Sequence, residues 1–124
     1  MKLSIYIAGR ITGEDPDICK AKFAAIENKL KQLGVDTVIN PLNLGIPISW
    51  TWEQAKEKCL DVLRHKATSI FLLDDWACST GSIEEWEFAK FRGYRMFDNE
   101  CFELIAQLVK HSGKWPDTSD YEFP

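Results

Sequence analysis

Seven consecutive residues, Ser79-Thr80-Gly81-Ser82-Ile83-Glu84-Glu85, put three hydroxyls, a glycine and two carboxyls directly after a loop that ends an apolar run. Where a strand hands over to a helix, unpaired amides and the positive end of the helix dipole favour an anion such as a phosphate. Ser79 and Ser82 add hydroxyls there, and Gly81 lets the backbone come close to a ligand. Ser82-Ile83-Glu84-Glu85 also fits the S-x-x-E capping box, which would give Glu85 a structural task in a helix's first turn. A second stretch, Gly9-Arg10-Ile11-Thr12-Gly13, has glycines that admit a ligand and an arginine able to pair with a phosphate. It is neither a P-loop, because the following Lys-Ser/Thr is missing, nor G-x-G-x-x-G. A strand-ending glycine turn of this kind also serves purely structural ends. Tyr6 is either a core residue with a polar tip or a ligand contact. Asp74 and Asp75 end a strand, placed to touch a ligand or to cap a turn.

The elements that must carry these residues are legible from pattern. Leu3 to Ala8 reads as a strand. Asp15 and Pro16 read as the N-cap and first position of a helix, with Cys19, Phe23, Ile26, Leu30 and Leu33 on its apolar stripe and Gly34 at its end. Val35 to Ile39 is a second strand, and Asn40 to Trp50 a loop whose length and two asparagines imply work beyond connection. Thr51-x-x-Gln54 is a capping box for a helix to about Lys66, with Trp52, Ala55, Cys59, Val62 and Leu63 as its stripe. Asp61 falls roughly opposite that stripe, where a charge is ordinarily only solvated. Ser69 to Leu73 is a third strand, Ile83 to Arg92 a helix, Tyr94 to Phe97 a short fourth strand and Glu100 to Lys110 a last helix.

Alternation of strand and helix predicts a parallel sheet covered on both faces, a Rossmann-like three-layer α/β sandwich in one domain. The right-handed crossover rule and the chain length favour the flavodoxin-like strand order 2-1-3-4. That order puts the topological switch point between strands one and three. Gly9, Arg10, Ile11 and Gly13 then face Asp75, Trp76, Ser79, Gly81 and Ser82 across one crevice, the position where open α/β sheets bind ligands. The domain spans residues 1–111, and 112–124 form an irregular tail that includes Trp115 and Tyr121.

Composition narrows the partners. With 124 residues, 45% hydrophobic and 27% charged, the chain matches an ordinary globular domain. A net charge of −4 argues against a nucleic-acid polymer but leaves room for a small anion. Four scattered cysteines and two histidines lack metal-ligand spacing, so no metal site is expected and the cysteines read as reduced space-fillers. No stretch reaches the roughly 20 apolar residues of a membrane span, and the start lacks a signal peptide's anatomy. The expected compartment is the cytoplasm, with no membrane partner.

Three segments together resemble a known family. Ile5-Tyr6-Ile7-Ala8-Gly9-Arg10-Ile11-Thr12-Gly13, then Ile39-Asn40-Pro41-Leu42, then Leu73-Asp74-Asp75-Trp76-x-x-Ser79-x-Gly81-x-x-x-Glu85-x-x-x-Ala89 is similar to the nucleoside 2-deoxyribosyltransferase-like superfamily over about residues 3 to 97. The nearest likeness is to a branch of small proteins, many of them phage-encoded. The resemblance implies that Glu85 is a nucleophile that attacks the sugar's anomeric carbon, expels the base and leaves a glycosyl ester. It implies that Asp61 assists base departure or holds the sugar, and that Tyr6 contacts the active site. Ser79 stands where the transferases carry an aspartate and where nucleoside-monophosphate hydrolases carry a phosphate-contacting serine. Hydrolysis of a nucleoside 5′-monophosphate is therefore favoured over base exchange. The family works without metal or bound cofactor and commonly completes its pocket with a neighbouring subunit, which implies a homo-oligomer. Two other readings stay open: a nucleotide-sensing module without turnover, and an interaction protein in which Glu85 caps a helix and Trp50, Trp52 and Trp115 form an interface.

Overall fold

The computed structural model describes residues 3–111. The predicted tail, 112–124, lies outside the described residues. Four strands and four α-helices alternate along the chain: β1 (Ser4–Ala8), α1 (Pro16–Gln32), β2 (Thr37–Ile39), α2 (Trp52–Lys66), β3 (Ser69–Leu72), α3 (Thr80–Phe91), β4 (Arg95–Phe97) and α4 (Phe102–Lys110). Short 3-10 turns occupy Pro41–Asn43 and Trp76–Cys78. All strand pairings are parallel and the order is β2-β1-β3-β4. The predicted fold class and strand order are both present.

Side chains alternate across the sheet with period two, so each strand feeds two cores. Ile5, Ile7, Phe71, Leu73 and Phe97 point to one face and pack with Cys19, Phe23 and Leu30 of α1 and Ile105 of α4. Tyr6, Ala8, Ile39, Ile70 and Leu72 point to the other and pack with Val62 and Leu63 of α2 and Ala89 of α3. Phe71 and Phe102 meet with ring centroids 5.4 Å apart, tying β3 to α4. Complete burial of an Ile, Leu or Phe side chain stabilises by about 1.5–3 kcal/mol, and these layers supply many such residues.

Helix ends follow local chemistry. Asp15 accepts from the Asp17 and Ile18 amides at 2.9 and 3.1 Å, capping α1. Thr51 and Gln54 exchange both bonds of a capping box at the start of α2. Two predicted strands begin later than expected, for one reason. Gly34 (φ +88°) and Gly93 (φ +70°) close α1 and α3 in the left-handed conformation. The next residue in each case gives its amide to the helix: Val35 to Leu30 O at 3.1 Å, Tyr94 to Ala89 O at 2.9 Å. An amide bonded back into a helix in this Schellman closure is unavailable to a strand ladder. Similarly, α4 starts at Phe102 rather than Glu100, because Asp98 holds the Glu100 and Cys101 amides in a turn.

The start of α3 departs furthest from expectation. It begins at Thr80, three residues before the predicted Ile83, and its N-cap is Ser79, whose Oγ accepts from the Ser82 amide at 3.2 Å. The Ser82–Glu85 capping box is therefore absent, and Glu85 lies in the helix's second turn. That displacement turns its side chain toward the sheet.

Candidate active site

A cavity of about 260 Å³ opens at the carboxyl ends of β1 and β3, where the sheet's strand order reverses. Its floor is a buried pair: the Tyr6 hydroxyl of β1 donates a short hydrogen bond to Glu85 Oε2 of α3. Tyr6 is fully buried and Glu85 is 7% exposed. The walls come from the loop after β1 (Gly9, Ile11, Thr12), the loop after β2 (Pro41, Leu42, Ile46), one side of α2 (Trp52, Ala55, Lys56, Cys59) and the start of α3 (Ser79, Gly81, Ser82).

Electrostatics at the floor are governed by burial. Withdrawal from water, partly offset by the Tyr6 hydrogen bond and slightly reinforced by the neighbouring Glu84, pushes the Glu85 carboxyl up to about 8. Burial and the adjoining carboxylate hold the Tyr6 hydroxyl well above its ordinary range, so it remains a donor. The Cys59 thiol, also raised by burial, interacts with the Tyr6 hydroxyl from the α2 side. At neutral pH the resting pair is a phenol and a neutral carboxylic acid.

The wall near α3 carries a second polar feature. Ser82 Oγ is buried, with the residue 1% exposed, and has no hydrogen-bond partner among the described residues. The first amides of any helix also lack intrahelical acceptors. Lys56 reaches the same cavity from α2, paired with Glu84 Oε2 at 3.1 Å and lying over the Trp52 ring, 4.7 Å from its centroid.

The structure gathers Tyr6, Gly9, Ile11, Ser79, Gly81, Ser82 and Glu85 around this cavity. It does not bring the other candidates there. Asp61, on the far side of α2, keeps a side chain 55% exposed and pairs with His65 Nε2 at 3.3 Å. The 100° step between helical residues forces that separation once Cys59 faces inward. Asp75 accepts from the Arg10 amide at 3.1 Å and from Lys22 Nζ, which also donates to Arg10 O at 3.0 Å. That ion pair lowers the Asp75 carboxyl below its usual range, and Asp75 braces the loop after β1 instead of lining the cavity. Arg10 turns to Thr12 O and Glu14, and Gly13, with φ +80°, serves the turn itself. Trp76 packs on Trp86 at 5.3 Å.

Gly9 is required by packing: a Cβ there would sit 2.5 Å from Leu73 Cδ1 and 3.0 Å from its Cβ. The wall residues Trp52, Ala55 and Cys59 had the look of a core stripe, and Lys56 carried no signal beside them. The small Ala55 and Cys59 on an otherwise large stripe mark a stretch of helix that overhangs space rather than filling it. Only Val62 and Leu63, further along, are buried in the core. Asn40 and Asn43 donate to Glu27 Oε1 of α1 at 3.2 and 3.4 Å, pinning Pro41 and Leu42 above the cavity.

A parallel four-stranded α/β domain with one acid-floored cavity at its switch point is the class that fold and geometry define. The chain belongs to the family of the domain of unknown function DUF4406, whose model matches residues 3–98. That match takes in β1 through β4 and every residue that lines the cavity. No curated protein and no solved structure matches the chain. Among the described residues no helix is long and apolar enough to cross a membrane, and the four cysteines are free.

Proposed function

We propose that this protein cleaves the N-glycosidic bond of a nucleotide, preferring a nucleoside 5′-monophosphate, with Glu85 as nucleophile. The observation that carries the reading is the Tyr6–Glu85 pair at the floor of a switch-point cavity. A carboxyl held there in one orientation, with one oxygen fixed by Tyr6, leaves its other oxygen for the ligand. As a carboxylate it attacks the anomeric carbon, the C–N bond breaks with its electron pair going to the base, and a glycosyl ester forms. Water then attacks the anomeric carbon, the ester C–O bond breaks to return the carboxylate and free the sugar phosphate, and the proton that water gives up balances the one the departed base takes on. The start of α3 supports the phosphate end of the ligand, because helix amides and the Ser82 hydroxyl offer donors to an anion. Apolar residues from the loop after β2, together with Trp52, suit the flat base.

A second reading, a nucleotide-binding module without turnover, is favoured by one observation: among the described residues Glu85 is the single carboxyl that lines the cavity, Asp61 being turned away. Incubation with ribo- and deoxynucleosides and their monophosphates, followed by chromatography for free base, decides between them. The glycosidase reading expects base release, a rate that climbs with pH as Glu85 ionises near 8, and loss of at least a hundredfold in Glu85→Gln. Thermal stabilisation by a monophosphate with no base released supports the binding module and rejects the glycosidase.

A further inference from the structure

We infer that Lys56 makes this cavity select a ligand that bears a phosphate over the same ligand without one. The inference rests on the nucleotide reading above and names the residue that would set its charge preference. Among the described residues, Lys56 is the one cation that lines the cavity. Glu84 Oε2 at 3.1 Å and the Trp52 ring at 4.7 Å hold its ammonium at the cavity wall instead of letting it trail into solvent. An ammonium has three donors, and Glu84 accepts from one direction only.

The Lys56–Glu84 pair is about one-third exposed, and a pair open to solvent on that scale is weakened by water and screened by salt. An incoming dianion can therefore draw Lys56 off Glu84 at little cost. Ser82 supplies an independent observation on the same cavity. The residue lines the cavity, and its hydroxyl is buried without a partner among the described residues, a costly state. The amides at the start of α3 add positive potential on that side. Glu85 does not oppose the anion at neutral pH, because burial keeps it protonated there. A hydroxyl-bearing residue, a helix N-terminus and a cation thus line the same cavity.

The test titrates the full chain with a nucleoside 5′-monophosphate and with the matching nucleoside. Thermal stabilisation is read for both, and KM wherever base is released. The wild type is expected to prefer the monophosphate, and the preference to shrink as salt rises. Lys56→Met should cut the ratio about tenfold or more, the usual weight of a charge-assisted hydrogen bond. Lys56→Arg should recover most of it, and Glu84→Gln, which removes the competing carboxylate, should increase it. A Lys56→Met protein with its Tm kept and its ratio unchanged overturns the inference alone. A wild type without preference overturns it together with the monophosphate preference proposed above, while base release would still support N-glycosidic cleavage by Glu85. Absent base release with a Lys56-dependent preference rejects the glycosidase and keeps the inference. Should Lys56→Met fail to fold, a ratio unmoved by salt and by Glu84→Gln counts against the inference.

Discussion

Tyr6 and Glu85 sit 79 residues apart in sequence, and their hydrogen bond is buried between a strand and a helix. A buried carboxyl with a raised proton affinity leaves a signature in stability. Glu85 ionises near 4.5 when the chain is unfolded and near 8 when it is folded. Between those values the folded protein holds a proton that the unfolded chain has lost, so stability falls as pH rises from about 5 to about 8. Each unit of pH in that window removes at most about 1.4 kcal/mol. Asp75 and Glu27, both lowered, act in the opposite sense but at more acidic pH. Urea denaturation at several pH values should show the decline above pH 5, and Glu85→Gln should flatten it; a slope that survives in the variant assigns it to another group. Glu85 stood out in the sequence, but its capping-box role there depended on a helix start that the structure moves. Tyr6 was open between core residue and ligand contact; its ring lies in the core and its hydroxyl at the floor of the cavity.

The start of α3 shows how a single hydroxyl directs an element. With Ser79 as N-cap, Ser82 enters the helix and Glu85 turns inward; with Ser82 as cap, Glu85 would fold back on the first turn. The two arrangements make opposite mutational demands. Ser79→Ala should cost about 1 kcal/mol through loss of the cap, whereas Ser82→Ala, which removes an unpaired buried hydroxyl, should be neutral or slightly stabilising. Equilibrium urea unfolding of both variants checks this, and the reverse ranking would restore the Ser82 capping box. Both serines have the right chemistry for a cap, so propensity alone could not choose between them. The same limit applied to α2. Its period correctly gave a helix with Thr51 as cap, yet it could not show that the stripe's first half overhangs a cavity while Val62 and Leu63 enter a core. For Asp61 the period was the better guide, since it set this residue opposite the stripe, where the structure leaves it exposed.

The whole domain is a sheet between two helical layers, and its two cores share the same strands. Phe23 of α1 fills one and Leu63 of α2 the other, each fully buried. Because β1 and β3 contribute alternate residues to both, damage to either core should propagate through the sheet. Phe23→Ala is expected to cost about 3–5 kcal/mol and Leu63→Ala about 2–5 kcal/mol. Each should shift a single transition at which near- and far-UV circular dichroism coincide. Separate transitions would show that the two layers unfold independently. The cavity depends on this same arrangement, since its walls come from both sides of the switch point and are held by distant braces. Lys22 and Asp75 fix the loop after β1, and Glu27 fixes the loop after β2.

Fold class, strand order and the end of the sheet where the cavity opens followed from the sequence alone. Apolar runs, helical periods, caps and crossover handedness are local or topological rules that act on neighbouring residues. Which candidates reach the cavity was decided only in three dimensions. Arg10, Asp75 and Trp76 are engaged by protein partners, and Asp61 fell on the outer face of its helix. Lys56, with no motif around it, arrived at the cavity wall. A side chain's direction depends on the helix's first residue to within 100° per position, and its partners come from remote parts of the chain. Those two quantities belong to the packed structure, and through them Glu85 became the buried partner of Tyr6.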